Sequence, residues 1–109
     1  MEEWIGKHYI LKNCQVIEVD LLTWGIWIGK IKNKRIAQTY IDDYRISTVF
    51  LGLDHRFESE GPPILFETMV FKNSDDDYSD LEMERYSTYS EAEQGHQRMV
   101  DKVKAGEVI

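Results

Sequence analysis

The chain has 109 residues, 42% of them hydrophobic, with three Trp, six Tyr and four Phe, and a formal net charge of −7. That length allows one core and hence a single domain over 1–109, and that composition excludes a disordered chain. The surplus of carboxylates excludes general nucleic-acid binding, which runs on phosphate neutralisation by Lys and Arg, while leaving room for a local basic cluster that takes a small anion.

In chain order, "HYILKN" and "QVIEVD" read as two short extended segments around a turn at Asn13. Asp20 is placed to cap a helix over "LLTWGIWIGKIK", in which Leu21, Trp24, Ile28 and Ile31 recur at helical spacing. Gly25 and Gly29 weaken that helix, and the Ile and Trp content leaves a strand as the rival. "KRIAQTYI", "YRISTVFLGL" and "PILFETMVFK" follow as three strands rich in β-branched and aromatic residues, with a turn at Asp42-Asp43-Tyr44. In the third strand Ile64, Phe66, Thr68 and Val70 face one way and Leu65, Glu67, Met69 and Phe71 the other. Both sets are mainly apolar, so that strand is expected to be central, with one face on a helix and one on a partner or pocket. After an acidic loop over 73–82, "MERYS" is a candidate fourth strand.

The C-terminal helix has the clearest signals. Thr88 and Glu91 form a T-x-x-E capping box, Ala92, His96, Met99, Val100 and Val103 make the inward stripe, and Gly106 ends it. The expected fold is α+β, an antiparallel sheet of four to six strands with this helix and one further helix packed on one face.

Candidate chemistry is sparse. Asp54-His55-Arg56 stands at a strand end, where side chains project into clefts, and a His beside an Arg fork suits phosphate or carboxylate. The competing reading makes Asp54 a turn cap with two solvated neighbours. Glu67, inside a strand, requires a partner, and Arg85 or Arg45 is the economical one. His96 reads as a hydrogen-bonded core histidine. Gly61-Pro62-Pro63 is a rigid connection and no phosphate loop, and neither G-x-x-x-x-G-K-[ST] nor G-x-G-x-x-G occurs.

No metal is expected. The three histidines lack ligand spacing, and a calcium-loop alignment starting at Asn73 puts Tyr78 where glycine is required. No serine stands in a nucleophile elbow, and the single Cys14 has no base beside it, so no catalytic residue, cofactor or disulfide is expected and an enzyme ranks third among the readings. One cysteine, a start without a signal-peptide pattern and the lack of a long apolar run suggest a cytoplasmic protein off the membrane.

The blocks "STVFLGLDH", "GPPILFETMVF" and "RYST…EAE…GH", in that order, resemble a family of small proteins encoded by bacteriophages and prophages. The resemblance runs from about Lys34 to Val103, is weak over 1–33, and departs at "KNSDDDYSDLEM" from a shorter, Gly-rich connection. It implies an accessory protein acting in the bacterial host cytoplasm and supplies no activity. By analogy of class, such proteins act by stoichiometric binding, some by sequestering immune nucleotides. The residues that suit such a ligand are Arg45, His55, Arg56 and Arg85 for phosphates, Tyr86 or Phe57 for a base, and Thr48 and Ser87 for a ribose. The leading expectation is a homo-oligomeric, non-enzymatic binder of a small anionic, nucleotide-like ligand serving counter-defence. The alternative is a protein-binding inhibitor or regulator of a host protein.

Overall fold

The computed structural model of the protein describes residues 8–30, 34–53, 62–72 and 80–107. Two short strands, β1 (His8–Lys12) and β2 (Gln15–Val19), form an antiparallel hairpin. Asn13 and Cys14 both take positive φ (52° and 65°), the combination whose twist matches a two-residue hairpin loop. Helix α1 (Leu21–Lys30) follows at once, its first turn capped by the Asp20 carboxylate, which accepts the Thr23 amide at 2.8 Å. The helix forms despite its two glycines because Trp24, Trp27 and Ile28 share a side that packs inward. Trp27 meets the edge of Phe50 at 5.7 Å, and Trp24 lies 5.4 Å from the His8 ring. Gly52, at φ +81°, allows this packing: a Cβ there would stand 3.1 Å from Trp24 Nε1.

Strands β3 (Arg35–Ile41), β4 (Tyr44–Phe50), β5 (Phe66–Lys72) and β6 (Asp80–Tyr86) make a four-stranded antiparallel sheet in the order β3-β4-β5-β6. Among the described residues the six strands therefore divide into sheets of two and four, joined where Tyr9 N–H donates to the Gly52 carbonyl. As expected, β5 is central. Leu65 precedes the strand, escapes its alternation and is fully buried in the core, rather than sharing a face with Glu67.

Helix α2 (Tyr89–Lys104) crosses one face of the four-stranded sheet. Both halves of its capping box are present, with Glu91 N–H donating to Thr88 Oγ1 and Thr88 N–H donating to Glu91 Oε1, each at 3.1 Å. Its inward stripe is Ala92, Gly95, His96, Met99, Val100 and Val103. These residues meet Ile46, Thr48 and Phe50 of β4 and Phe66, Thr68 and Val70 of β5, all fully buried, and each large apolar side chain so placed contributes about 1.5–3 kcal/mol. The core has two lobes. One gathers Tyr9, Phe50, Leu65, Phe66, Tyr86 and Ala92, and the other Ile46, Val70, Met99, Val100 and Val103.

Candidate ligand face of the sheet

Alternation along β4, β5 and β6 sends the second half of each strand's side chains to the face away from α2. The register aligns them in three cross-strand rows: Arg35, Val49, Glu67 and Arg85; then Gln38, Ser47, Met69 and Met83; then Tyr40, Arg45 and Phe71. Between them lies a concavity of about 330 Å³, whose floor is Val49, Met69 and Phe71 and whose polar rim includes Lys34, Arg35, Arg45 and Glu67.

Glu67 is nearly buried and accepts a hydrogen bond from Arg85 Nε at 2.9 Å, so the expected partner is Arg85 and not Arg45. Arg45 is occupied differently: its guanidinium carbon lies 4.3 Å above the centroid of Phe71, a cation–π contact worth about 0.5–1 kcal/mol where solvent reaches it. Among the described residues this face thus carries Lys34, Arg35, Arg45 and Arg85, with the carboxylate of Glu67 engaged by Arg85. On a chain of net charge −7 that is a local inversion of sign.

The residues proposed from sequence divide between surfaces. Arg45 and Arg85 do share the open face. Thr48 and Tyr86 do not: they point to the opposite side, under α2, and cannot join Arg45 around one ligand on this sheet face. Thr48 Oγ1 hydrogen bonds with Thr68 Oγ1 at 2.6 Å and with His96 Nδ1 at 2.7 Å, and Thr39 Oγ1 closes on His96 Nε2 at 2.9 Å. Tyr86 donates its hydroxyl proton to Glu84 Oε1 at 2.8 Å, and Arg98 Nη2 donates to that same oxygen. Burial first, and the Glu84 carboxylate with it, push the Tyr86 hydroxyl up to about 12 against a contrary contribution from Thr68. Ser87 lines a separate hollow with Cys14, Gln15 and Tyr89. His55, Arg56 and Phe57 lie outside the described residues, as does most of the acidic loop.

His96 is therefore the hydrogen-bonded core histidine expected of it, and burial lowers its pKa below 6.5. Lys34, Arg35 and Phe71 were missed. Phe71 was recoverable, being two and four residues from Met69 and Glu67 on one side of a strand. Arg35 was not, because a register shift between Arg35 and Ala37 decides which face it joins. Among the described residues no group of three or more His, Cys, Asp or Glu side chains is placed to hold a metal ion, and no helix is long and apolar enough to cross a membrane.

No protein-family model, curated protein or solved structure matches the chain. The face offers charge and an aromatic platform. Among the described residues lining it, the Glu67 carboxylate is committed to Arg85, and no histidine, cysteine or second carboxylate stands beside it to relay a proton or attack a bond.

Proposed function

We propose that the protein is a non-catalytic binder of a small anionic ligand of nucleotide type, held on the open face of the four-stranded sheet. A local excess of positive charge supports this reading: three cations, Lys34, Arg35 and Arg45, line an apolar floor on a strongly acidic chain, with Arg85 paired to Glu67 alongside. Lys34, Arg35 and Arg45 supply the charge for a phosphate, with Arg forks able to engage two oxygens at once. Met69 and Val49 supply an apolar surface for a base, beside the Phe71 ring that Arg45 already covers. The volume, about 330 Å³, stands at the small end of ligand sites and favours a mononucleotide-sized ligand. His55 and Arg56 remain candidates for the same ligand. Sequestration of a host immune nucleotide by a phage-encoded protein in the bacterial cytoplasm is the setting we propose, from the sequence blocks described above.

Titration calorimetry of the protein against mononucleotides and cyclic nucleotides tests the proposal. Binding with recovery of chemically unchanged ligand supports it. A converted product would make the protein an enzyme. Absence of binding across the panel, together with a stoichiometric complex with a purified host protein, would replace it with the inhibitor reading.

A further inference from the structure

Beneath α2 a single file of hydrogen bonds crosses all four strands of the larger sheet. It begins at Thr39 of β3, whose Oγ1 lies 2.9 Å from His96 Nε2, and runs on from His96 Nδ1 to Thr48 Oγ1 of β4 at 2.7 Å. Thr48 Oγ1 meets Thr68 Oγ1 of β5 at 2.6 Å, Thr68 bonds in turn to the Tyr86 hydroxyl of β6, and Tyr86 ends on Glu84 Oε1 at 2.8 Å. Each hydroxyl has one proton to give, so the direction of one bond fixes the next. Glu84 decides the first. Burial raises its carboxyl, but hydrogen bonds from Arg98 and Tyr86 bring it below 4.5, so at neutral pH it only accepts. Tyr86, pushed up to about 12 chiefly by burial, keeps its proton and donates it to Glu84. The Tyr86 oxygen must then accept from Thr68, Thr68 from Thr48, and Thr48 from the ring. His96 Nδ1 therefore carries the hydrogen, and Nε2 accepts from Thr39.

We propose that Glu84, acting through Tyr86, Thr68 and Thr48, sets the tautomer of His96 and so makes Nε2, on the Thr39 side, the atom that takes up a proton in acid. Once Nε2 is protonated it needs an acceptor, and Thr39, until then a donor, has to turn its hydroxyl. The other links keep their order, because the Nδ1 hydrogen and the Glu84 charge still stand at the two ends of the file. The device is a pH-sensitive latch between α2 and β3, an edge strand bonded only to β4 within its sheet. Among the described residues, β3, β4 and β5 meet the ring with the hydroxyls of Thr39 and Thr48 and, behind them, Thr68. The titratable and charged groups on this side of the sheet are Tyr86 and Glu84 with Arg98, Glu82 with Lys102, and Tyr44 beside Lys72. Burial alone shifts His96, so no charge competes with the file for the ring. The latch lies on the face opposite the proposed ligand and does not depend on it.

Long-range proton–nitrogen correlation spectra of the histidine rings at neutral pH test the proposal, with His96→Gln identifying the resonances. The folded protein should show His96 protonated on Nδ1, whereas the unfolded chain should show the preference of free histidine for Nε2. Thr68→Val keeps the shape of the side chain and cuts the file between Thr48 and Tyr86. Thr48 is then free to donate to Nδ1, and the ring proton should move to Nε2. Tyr86→Phe should shift the tautomer the same way, although neither residue bonds to the ring. On acidification through the His96 titration, backbone amide shifts should move more at Thr39 and its β3 neighbours than at Thr68 and Tyr86. Should a variant fail to fold, the wild-type tautomer and the acid titration still decide. A wild-type ring protonated on Nε2 would overturn the proposal outright. So would a Nδ1 proton unmoved by both substitutions, and so would acid shifts larger at Tyr86 than at Thr39.

Discussion

Gly95 of α2 lies flat against the Tyr86 ring of β6. A Cβ built on Gly95 would fall 2.1 Å from both Cζ and the hydroxyl oxygen of Tyr86. No side chain other than hydrogen fits unless the ring moves, and the ring is fixed by burial and by the hydrogen bond to Glu84. The glycine therefore sets the distance at which the helix docks on the sheet edge.

Gly95→Ala should consequently destabilise the protein by about 1–3 kcal/mol, although alanine is the better helix former by about 1 kcal/mol. Urea denaturation measures it. In a Tyr86→Leu background, where the ring is gone, the same change should be neutral or stabilising. Destabilisation of equal size in both backgrounds would sink the contact as its cause.

The Glu67–Arg85 pair predicts an asymmetry between two substitutions. Glu67→Gln keeps an acceptor oxygen for Arg85 and should cost little. Glu67→Ala leaves the guanidinium, itself only 31% exposed, without its acceptor and should cost about 1–3 kcal/mol. Thermal melts of the two variants compare them directly. Equal stability of wild type and Glu67→Ala, with loss of ligand binding, would make Glu67 a ligand residue.

His96 predicts a pH dependence. Burial holds its folded-state pKa below 6.5, so the unfolded chain binds its proton more readily. Stability from this group is full above pH 6.5, falls as the pH drops below that value, and levels off once the pH passes the folded pKa. The carboxyl of Glu84 acts in a lower window: burial raises it, but hydrogen bonds from Arg98 and Tyr86 outweigh burial and bring it below 4.5. Its contribution is lost only as the pH falls beneath 4.5. Melts from about pH 8 to about pH 5 should show a steeper decline for wild type than for His96→Gln. Parallel curves would remove His96 as the titrating group.

Arg45 and Tyr86, both candidates for a phosphorylated ligand, should separate in a binding assay. Arg45→Ala should weaken nucleotide binding about tenfold or more with the melt unchanged, given about 1.5–3 kcal/mol for a charged contact. Tyr86→Phe should leave affinity alone and lower stability, because its hydroxyl serves Glu84 beneath α2. Calorimetry on both variants decides the matter, and a reversed pattern would move the site to the other face.

Much of the fold was readable in the chain because its signals are local. The Thr88–Glu91 box, the α2 stripe, the turn at Asn13 and the cap at Asp20 each depend on residues within four positions of one another. The site was less readable because a face is a tertiary property. Thr48 invited a ligand role by its hydroxyl, yet it lies between Ile46 and Phe50 at alternating spacing, and that pattern already placed it inside. For β6 the alternation that separates Arg85 from Tyr86 is legible in the chain and sets the two on opposite faces, against their assignment to one ligand. The contact between Gly95 and Tyr86 was not available at all, since nothing local says which strand passes beneath a given turn of helix.

The strand order β3-β4-β5-β6 also has a kinetic meaning. Each strand bonds only to its immediate neighbours in the chain, so the sheet can zip from one hairpin outward without threading a distant segment. The β3–β4 hairpin, closed by Asp42 and Asp43, is the cheapest to begin with, whereas joining β5 to β4 must close the long connection over 51–65. Slowing that closure by inserting flexible residues there should reduce the refolding rate while barely touching the rate of unfolding, and the rate-limiting search would thereby be located in the connection that carries "LDHRFESEGPP".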